Sequence, residues 1–123
     1  MTNSTSLPAR ILVVEDEYLI RMLLEDMLSD IGLEVAAAVG TIKEASEFAA
    51  NGEFNAAILD VNLDGQEIFP VADILAKRGK PFVFVTGYGE SSLPDAYRGR
   101  PALQKPFQAK QLQTTLSGLL TTA

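Results

Sequence analysis

Three carboxylates, a hydroxyl and a primary amine lie at or just past the ends of short apolar runs. They are the acidic pair Glu15-Asp16 after Ile11-Leu12-Val13-Val14, Asp60 after Ala56-Ala57-Ile58-Leu59, Thr86 after Phe82-Val83-Phe84-Val85, and Lys105 after Ala102-Leu103-Gln104. Asn62 follows Asp60 by two residues, in the loop beyond the run. This set suits transfer of a phosphoryl group onto a carboxylate. The reaction needs a nucleophilic carboxylate at a fixed point, which Asp60 offers, and aspartyl phosphate is an established covalent intermediate. Negative charge on the transferring oxygens must be matched by a metal ion and fixed dipoles. Mg²⁺ takes one or two carboxylates and keeps phosphate and water oxygens as its other ligands. Glu15, Asp16 and Asp60 can supply the carboxylates, and the backbone carbonyl of Asn62 a further oxygen. Lys105 would act as a point charge on the phosphate, and Thr86 as a hydroxyl donor to one of its oxygens. Taken singly, each residue has a plain reading as a turn or strand-end residue. Their order and shared position carry the inference.

The elements that must position them alternate between short β-like runs and longer helical ones. Residues 11–14 form a continuous apolar run, as in a strand buried on both faces. A helix follows over residues 17–31, with Leu19, Leu23, Met27 and Ile31 spaced by four, Ile20, Leu24 and Leu28 beside them, and Gly32 as its stop. A second strand is expected over 35–39. Thr41 and Glu44 have capping-box spacing for a helix to about Asn51, with Gly52 at C′. The third strand is 56–60. The next helix runs from about Glu67 to Arg78, with Pro70 in its first turn and Gly79 closing it. Strands over 82–86 and 102–104 and a helix over 108–120 complete the pattern. In an open α/β fold the ends of such strands share one rim, where ligands bind. Between the fourth and fifth strands, Gly87, Gly89, Pro94, Gly99 and Pro101 leave room for a helical turn or two around 91–98. A mostly irregular, mobile crossover is expected there.

The chain has 123 residues, enough for one domain burying roughly two-thirds of its unfolded surface. A net charge of −6 argues against nonspecific binding to a nucleic-acid backbone. Cysteine and histidine are both absent. That excludes disulfides, thiolate metal sites and imidazole catalysis, so any metal should be a hard cation held by oxygens. No apolar run approaches the roughly 20 residues of a membrane span, and the first residues do not read as a signal peptide.

With these motifs in place, the chain resembles the receiver domain of bacterial two-component response regulators, from Arg10 to about Leu120. The residues that carry the resemblance are Ile11-Leu12-Val13-Val14-Glu15-Asp16-Glu17, Ala57-Ile58-Leu59-Asp60-Val61-Asn62-Leu63-Asp64-Gly65, Phe84-Val85-Thr86-Gly87 and Lys105-Pro106-Phe107. The resemblance implies a flavodoxin-like α/β fold. Its doubly wound five-stranded parallel sheet would have order 2-1-3-4-5 with helices on both faces. It further implies that Asp60 is the phosphoacceptor, with Glu15, Asp16, Asp60 and the carbonyl of Asn62 binding Mg²⁺. Thr86 would be the hydroxyl that turns toward the phosphate, and Lys105 the partnering lysine. The donor would be a phosphohistidine on a sensor histidine kinase or a histidine phosphotransfer protein, necessarily another molecule since this chain has no histidine. Residues 1–9 would be a flexible tail, 10–120 the receiver domain and 121–123 a C-terminal tail.

Two departures from the family pattern matter. Leu103 stands where many receivers carry an aromatic, two residues before the lysine. The run 81–89 resembles variant receivers with a Phe-Ala-Thr-Gly signature, with Val85 at the alanine position. In those variants the aromatic is absent and the fourth helix is short or disordered. Phosphorylation is therefore expected to order the segment 87–101. Tyr88 and Asn62 would flank the route of an attacking water. The expected function is that of a single-domain response regulator, a cytoplasmic monomer and not an enzyme in its own right. It would signal through an unidentified downstream protein or act as a phosphate relay or sink, with no nucleic-acid or membrane partner. One alternative is a degenerate receiver that only binds proteins. Another is a haloacid-dehalogenase-like phosphatase, but that class wants a second acid where Asn62 stands.

Overall fold

The computed structural model describes residues 8–63, 65–87 and 93–122, with the Thr122 side chain left aside. Most of the N-terminal tail, Asp64, Tyr88, Gly89 and Ser91 of the expectations above lie outside the described residues. Strands β1 (Arg10–Val14), β2 (Glu34–Val39), β3 (Ala56–Asp60), β6 (Phe82–Thr86) and β7 (Ala102–Gln104) form one sheet in the order β2-β1-β3-β6-β7. Every pairing in it is parallel. This is the 2-1-3-4-5 order, with a small antiparallel hairpin, β4 (Asn62–Leu63) and β5 (Gln66–Glu67), inserted after the third strand. The sequence pattern gave no strand here. The hairpin displaces the start of the next helix, α3 (Phe69–Arg78), two residues beyond the expected one.

Period-two alternation along the central strands assigns each face of the sheet its own helices. Leu12, Val14, Ala57, Leu59, Phe82 and Phe84 face α3 and α2 (Ile42–Asn51), meeting Ala45, Ala49, Val71, Ala72 and Leu75. Ile11, Val13, Ala56, Ile58, Val83 and Val85 face α1 (Tyr18–Asp30) and α4 (Ala109–Thr122), meeting Leu24, Leu28, Leu112 and Leu116. Leu103 joins this second layer and is buried. Helix α4 continues two residues past Leu120, where the sequence reading ended it.

The helix ends follow their local chemistry. Thr41 Oγ1 accepts from the Glu44 N–H at 3.1 Å, capping α2 as its spacing predicts. Gly79 is left-handed at φ 71°, and the Lys80 N–H returns to the Leu75 carbonyl at 3.0 Å, a Schellman closure of α3. Gly52 differs from the expected C′ role: its φ is −80°, which any residue adopts. A Cβ there would stand 2.5 Å from the Phe48 ring, so the glycine provides space, not handedness.

The β6–β7 crossover has no α-helix among its described residues, only a 3₁₀ turn at Asp95–Tyr97. Leu93 and Tyr97 fasten this part to the core. The Tyr97 ring stacks on Phe69 at 5.7 Å and meets Phe84 edge-on at 5.4 Å. Its hydroxyl donates to Asp73 Oδ1 on α3. Burial first, then the Asp73 carboxylate, push the Tyr97 phenol up to about 12, so it remains a donor across the physiological range. Tyr97→Ala should therefore destabilise the fold by about 3–5 kcal/mol, and Tyr97→Phe by about 1–2 kcal/mol. Urea denaturation of the two variants checks this, and equal losses would mean that the ring's packing contributes nothing.

Candidate functional site

The parallel ladders continue one residue past several strands, and these extra bonds place the functional residues. The Glu15 N–H bonds the Val39 carbonyl at 2.9 Å, the Val61 N–H the Val85 carbonyl at 3.0 Å, and the Lys105 N–H the Thr86 carbonyl at 2.8 Å. Asp60 pairs in register with Val85, and Thr86 with Gln104. The C-terminal rim of the sheet thus gathers residues separated by up to 90 positions in sequence, as the topology requires.

Lys105 Nζ lies 3.2 Å from Glu15 Oε1 and 3.3 Å from Asp60 Oδ2, bridging two buried carboxylates. Glu15, Asp16 and Asp60 each place a carboxylate oxygen within 4.8 Å of the others'. Glu15 Oε2 accepts from the Glu17 N–H at 3.0 Å. Glu15 Oε1 is buried, and the Lys105 ammonium 3.2 Å away meets it as an ion pair with no further hydrogen-bond partner among the described residues. Burial, opposed in part by the Glu17 N–H and Lys105 and reinforced by Asp60, raises the Glu15 carboxyl to about 7. The Lys105 ammonium is raised despite its desolvation, because Asp60 and Glu15 favour its charged form. An under-satisfied buried oxygen among three convergent carboxylates fits a hard divalent cation. The matching donors are the oxygens of Glu15, Asp16 and Asp60.

Asp60 Oδ1 accepts from the Asn62 N–H at 3.3 Å. The Asn62 side-chain oxygen accepts from the Gly65 N–H at 2.9 Å and so closes the turn of the β4–β5 hairpin. Gly65 is left-handed at φ 84°, a conformation that glycine adopts without a Cβ penalty. Thr86, buried at the end of β6, joins Asp60, Asn62, Glu67, Phe69 and Gly87 in lining a cavity of about 650 Å³. Phe69 is also the ring on which Tyr97 stacks, so one aromatic joins this cavity to the crossover. Beside the acid pair, α1 opens with Tyr18, Leu19, Met22 and Leu23 exposed, although helical spacing alone placed Leu19 and Leu23 on the apolar face.

Glu15, Asp16, Asp60 and Lys105 thus converge, with Asn62 and Thr86 beside Asp60. Sequence reasoning passed over Glu67, Phe69 and Arg21. The first two depend on an unforeseen hairpin. Arg21 Nη1 donates to the Glu15 backbone carbonyl at 3.0 Å, and the glycine after β2 is the only local sequence signal that its side chain has room.

Comparison with known proteins gives the same answer along most of the chain. The response regulator receiver domain model matches residues 11–117. The transcriptional regulatory protein PdtaR of Mycobacterium tuberculosis is 34% identical over 111 residues, covering 87% of this chain and 54% of PdtaR. The phyllosphere-induced regulator PhyR of Methylorubrum extorquens is 33% identical over 122 residues, covering 95% and 45% respectively. The chain therefore spans about half the length of these curated relatives. The solution structure of SdrG from Sphingomonas melonis Fr1 is 44% identical and superposes with a TM-score of 0.82, over 94% of this chain and 99% of that one. A second SdrG structure, its BeF3-activated conformation, covers the same shares with a TM-score of 0.79. With the flavodoxin-like sheet, the acidic rim and the lysine all accounted for, this chain belongs to the response regulator receiver domain family.

Proposed function

We propose that this protein accepts a phosphoryl group on Asp60 from a phosphohistidine carried by a sensor histidine kinase or a histidine phosphotransfer protein. The observation that carries the reading is the Lys105 ammonium held between Asp60 and Glu15 at a rim where Asp16 brings a third carboxylate. An Asp60 carboxylate oxygen forms the new O–P bond as the donor's N–P bond breaks, and the electron pair leaves with the imidazole. Lys105 stays beside the acceptor oxygen, and its charge balances the oxygens of the arriving group. Thr86 offers a hydroxyl from the cavity wall. Glu15, Asp16, Asp60 and the Asn62 carbonyl would hold Mg²⁺, which would supply charge neutralisation and orientation of the phosphoryl oxygens. The exposed apolar start of α1 gives a protein donor a place to seat beside the acceptor.

The output is a phosphorylation-dependent change read by a downstream protein, or relay of the phosphoryl group. Leu103 cannot serve as an aromatic switch partner. The crossover over 87–101 takes that role, coupled to the site through Phe69 and Tyr97. We place the protein in the cytoplasm; among the described residues no helix is long and apolar enough to cross a membrane. Amide NMR spectra with Mg²⁺, then with Mg²⁺ and beryllofluoride, test the reading. Shifts centred on residues 15, 16, 60, 86 and 105 and spreading into 87–101 are expected. A spectrum indifferent to both additions would leave a protein-binding module that kept the residues without the chemistry.

A further inference from the structure

Arg21 reaches back from the start of α1 toward the loop that carries the acid pair. Its Nη1 donates to the Glu15 backbone carbonyl at 3.0 Å, and its guanidinium carbon lies 5.8 Å from the Tyr18 ring centroid. The space it occupies is kept by Gly40. A Cβ at that residue would stand 2.6 Å from Arg21 Nη1, 3.5 Å from the Glu15 carbonyl oxygen and 3.6 Å from the Asp16 Cα. Gly40 therefore leaves room for the guanidinium, the far end of a flexible side chain that an added Cβ would push aside. The Glu15 N–H is tied to Val39, so both polar groups of its main chain are held, one by β2 and the other by α1.

We infer that Arg21 is a positioning residue for the Mg²⁺-binding pair Glu15-Asp16 and that Gly40 is its seat, an inference resting on the phosphoacceptor reading. Two adjacent carboxylates turned toward a third repel one another, and a short strand-to-helix loop would relax to separate them. A charge-assisted bond to the Glu15 carbonyl resists that movement. That bond is made to the backbone carbonyl and not to a Glu15 carboxylate oxygen. Preorganisation of this kind lowers the ordering cost of binding. The electrostatic effect of Arg21 runs the other way, since a cation near a metal site repels Mg²⁺. Positioning and electrostatics thus predict opposite signs for its removal.

The test is Mg²⁺ affinity by amide NMR titration for wild type, Arg21→Ala, Arg21→Lys, Gly40→Ala and the Arg21→Ala/Gly40→Ala pair. Arg21→Ala and Gly40→Ala should each weaken Mg²⁺ about tenfold, as losses of outer-shell partners do. Arg21→Lys should recover part of the loss. Gly40→Ala should add nothing once Arg21 is gone, because the glycine acts only through the guanidinium. In the metal-free protein, the amides of residues 15–17 should shift in Arg21→Ala and in Gly40→Ala alike. Unchanged or tighter Mg²⁺ binding by Arg21→Ala would overturn the inference, as would an additive double variant or a loss of thermal stability alone. A wild type that ignores Mg²⁺ would overturn the phosphoacceptor reading itself, and this inference with it.

Discussion

Asp60→Asn should lose phosphoryl acceptance to background while the metal-free protein becomes more stable at pH 8. The first half follows from the chemistry of the acceptor. The amide that replaces the carboxylate has no anionic oxygen to attack phosphorus, and Glu15, the other carboxylate beside Lys105, is buried with one oxygen held by the Glu17 N–H. The second half follows from the electrostatics. Asp60 and Glu15 are both buried and share one ammonium, at 3.3 and 3.2 Å. Like charges in one desolvated site disfavour each other, and a single cation compensates two anions incompletely.

With asparagine at 60, Lys105 and Glu15 remain as a matched pair, and the side-chain oxygen can still accept from the Asn62 N–H. A gain of about 1–2 kcal/mol is expected, of the size of a one-unit change in the neighbouring carboxyl. Urea denaturation in the presence of a chelator measures it, and phosphorylation with a small-molecule phosphodonor measures the loss of function. A structural Asp60 would give the reverse stability result, because its removal would break a buried ion pair at a cost of about 3–5 kcal/mol. Stability gained where function is lost is the pattern of a site residue.

How much of this was legible beforehand depended on the range of the interactions. The strands were readable because their apolar runs are continuous, and Asp60 and Thr86 because they end such runs. The α2 N-cap was readable because Thr41 and Glu44 are three residues apart and bond locally. The convergence of residues 15, 60 and 105 followed from their place at strand ends, which share one rim in an open α/β fold, while the strand order came with the family resemblance. The β4–β5 hairpin escaped because two-residue strands carry no period; it is held by the Asn62–Gly65 bond and by the Ile68 N–H on the Val61 carbonyl. Tyr97 escaped because its partners, Asp73 and the rings of Phe69, Phe82 and Phe84, are distant in sequence. Leu19 and Leu23 illustrate the converse. Helical period placed them on an apolar face, but a helix packed on one side of a sheet buries a narrower stripe than this sequence supplies. That leaves apolar surface beside the site.

Glu15 should make both stability and Mg²⁺ binding depend on pH near neutrality, in opposite directions. Its carboxyl is raised from 4.5 to about 7, first by burial. A folded-state value above the unfolded one means that the native protein binds more protons between the two, so stability falls as pH rises. The contribution is fully present below about 4.5 and is lost by the time pH passes 7. Its ceiling is about 3 kcal/mol for a shift of this size, less where Lys105 adjusts. Mg²⁺ needs the carboxylate, so its apparent affinity should rise over the window in which metal-free stability declines. Glu15→Gln removes both dependences together. At pH 8 the metal-free variant should exceed wild type by up to a few kcal/mol, and at pH 5 the advantage should vanish or reverse. Mg²⁺ binding should be weak at every pH. Denaturation of both proteins in chelator at pH 5, 6, 7 and 8 isolates the carboxyl as a difference, since other titrations cancel. A constant difference across that range would mean that Glu15 is ionised throughout. The buried oxygen without a hydrogen bond would then be carried as a standing charge, compensated by Lys105 even before the metal arrives.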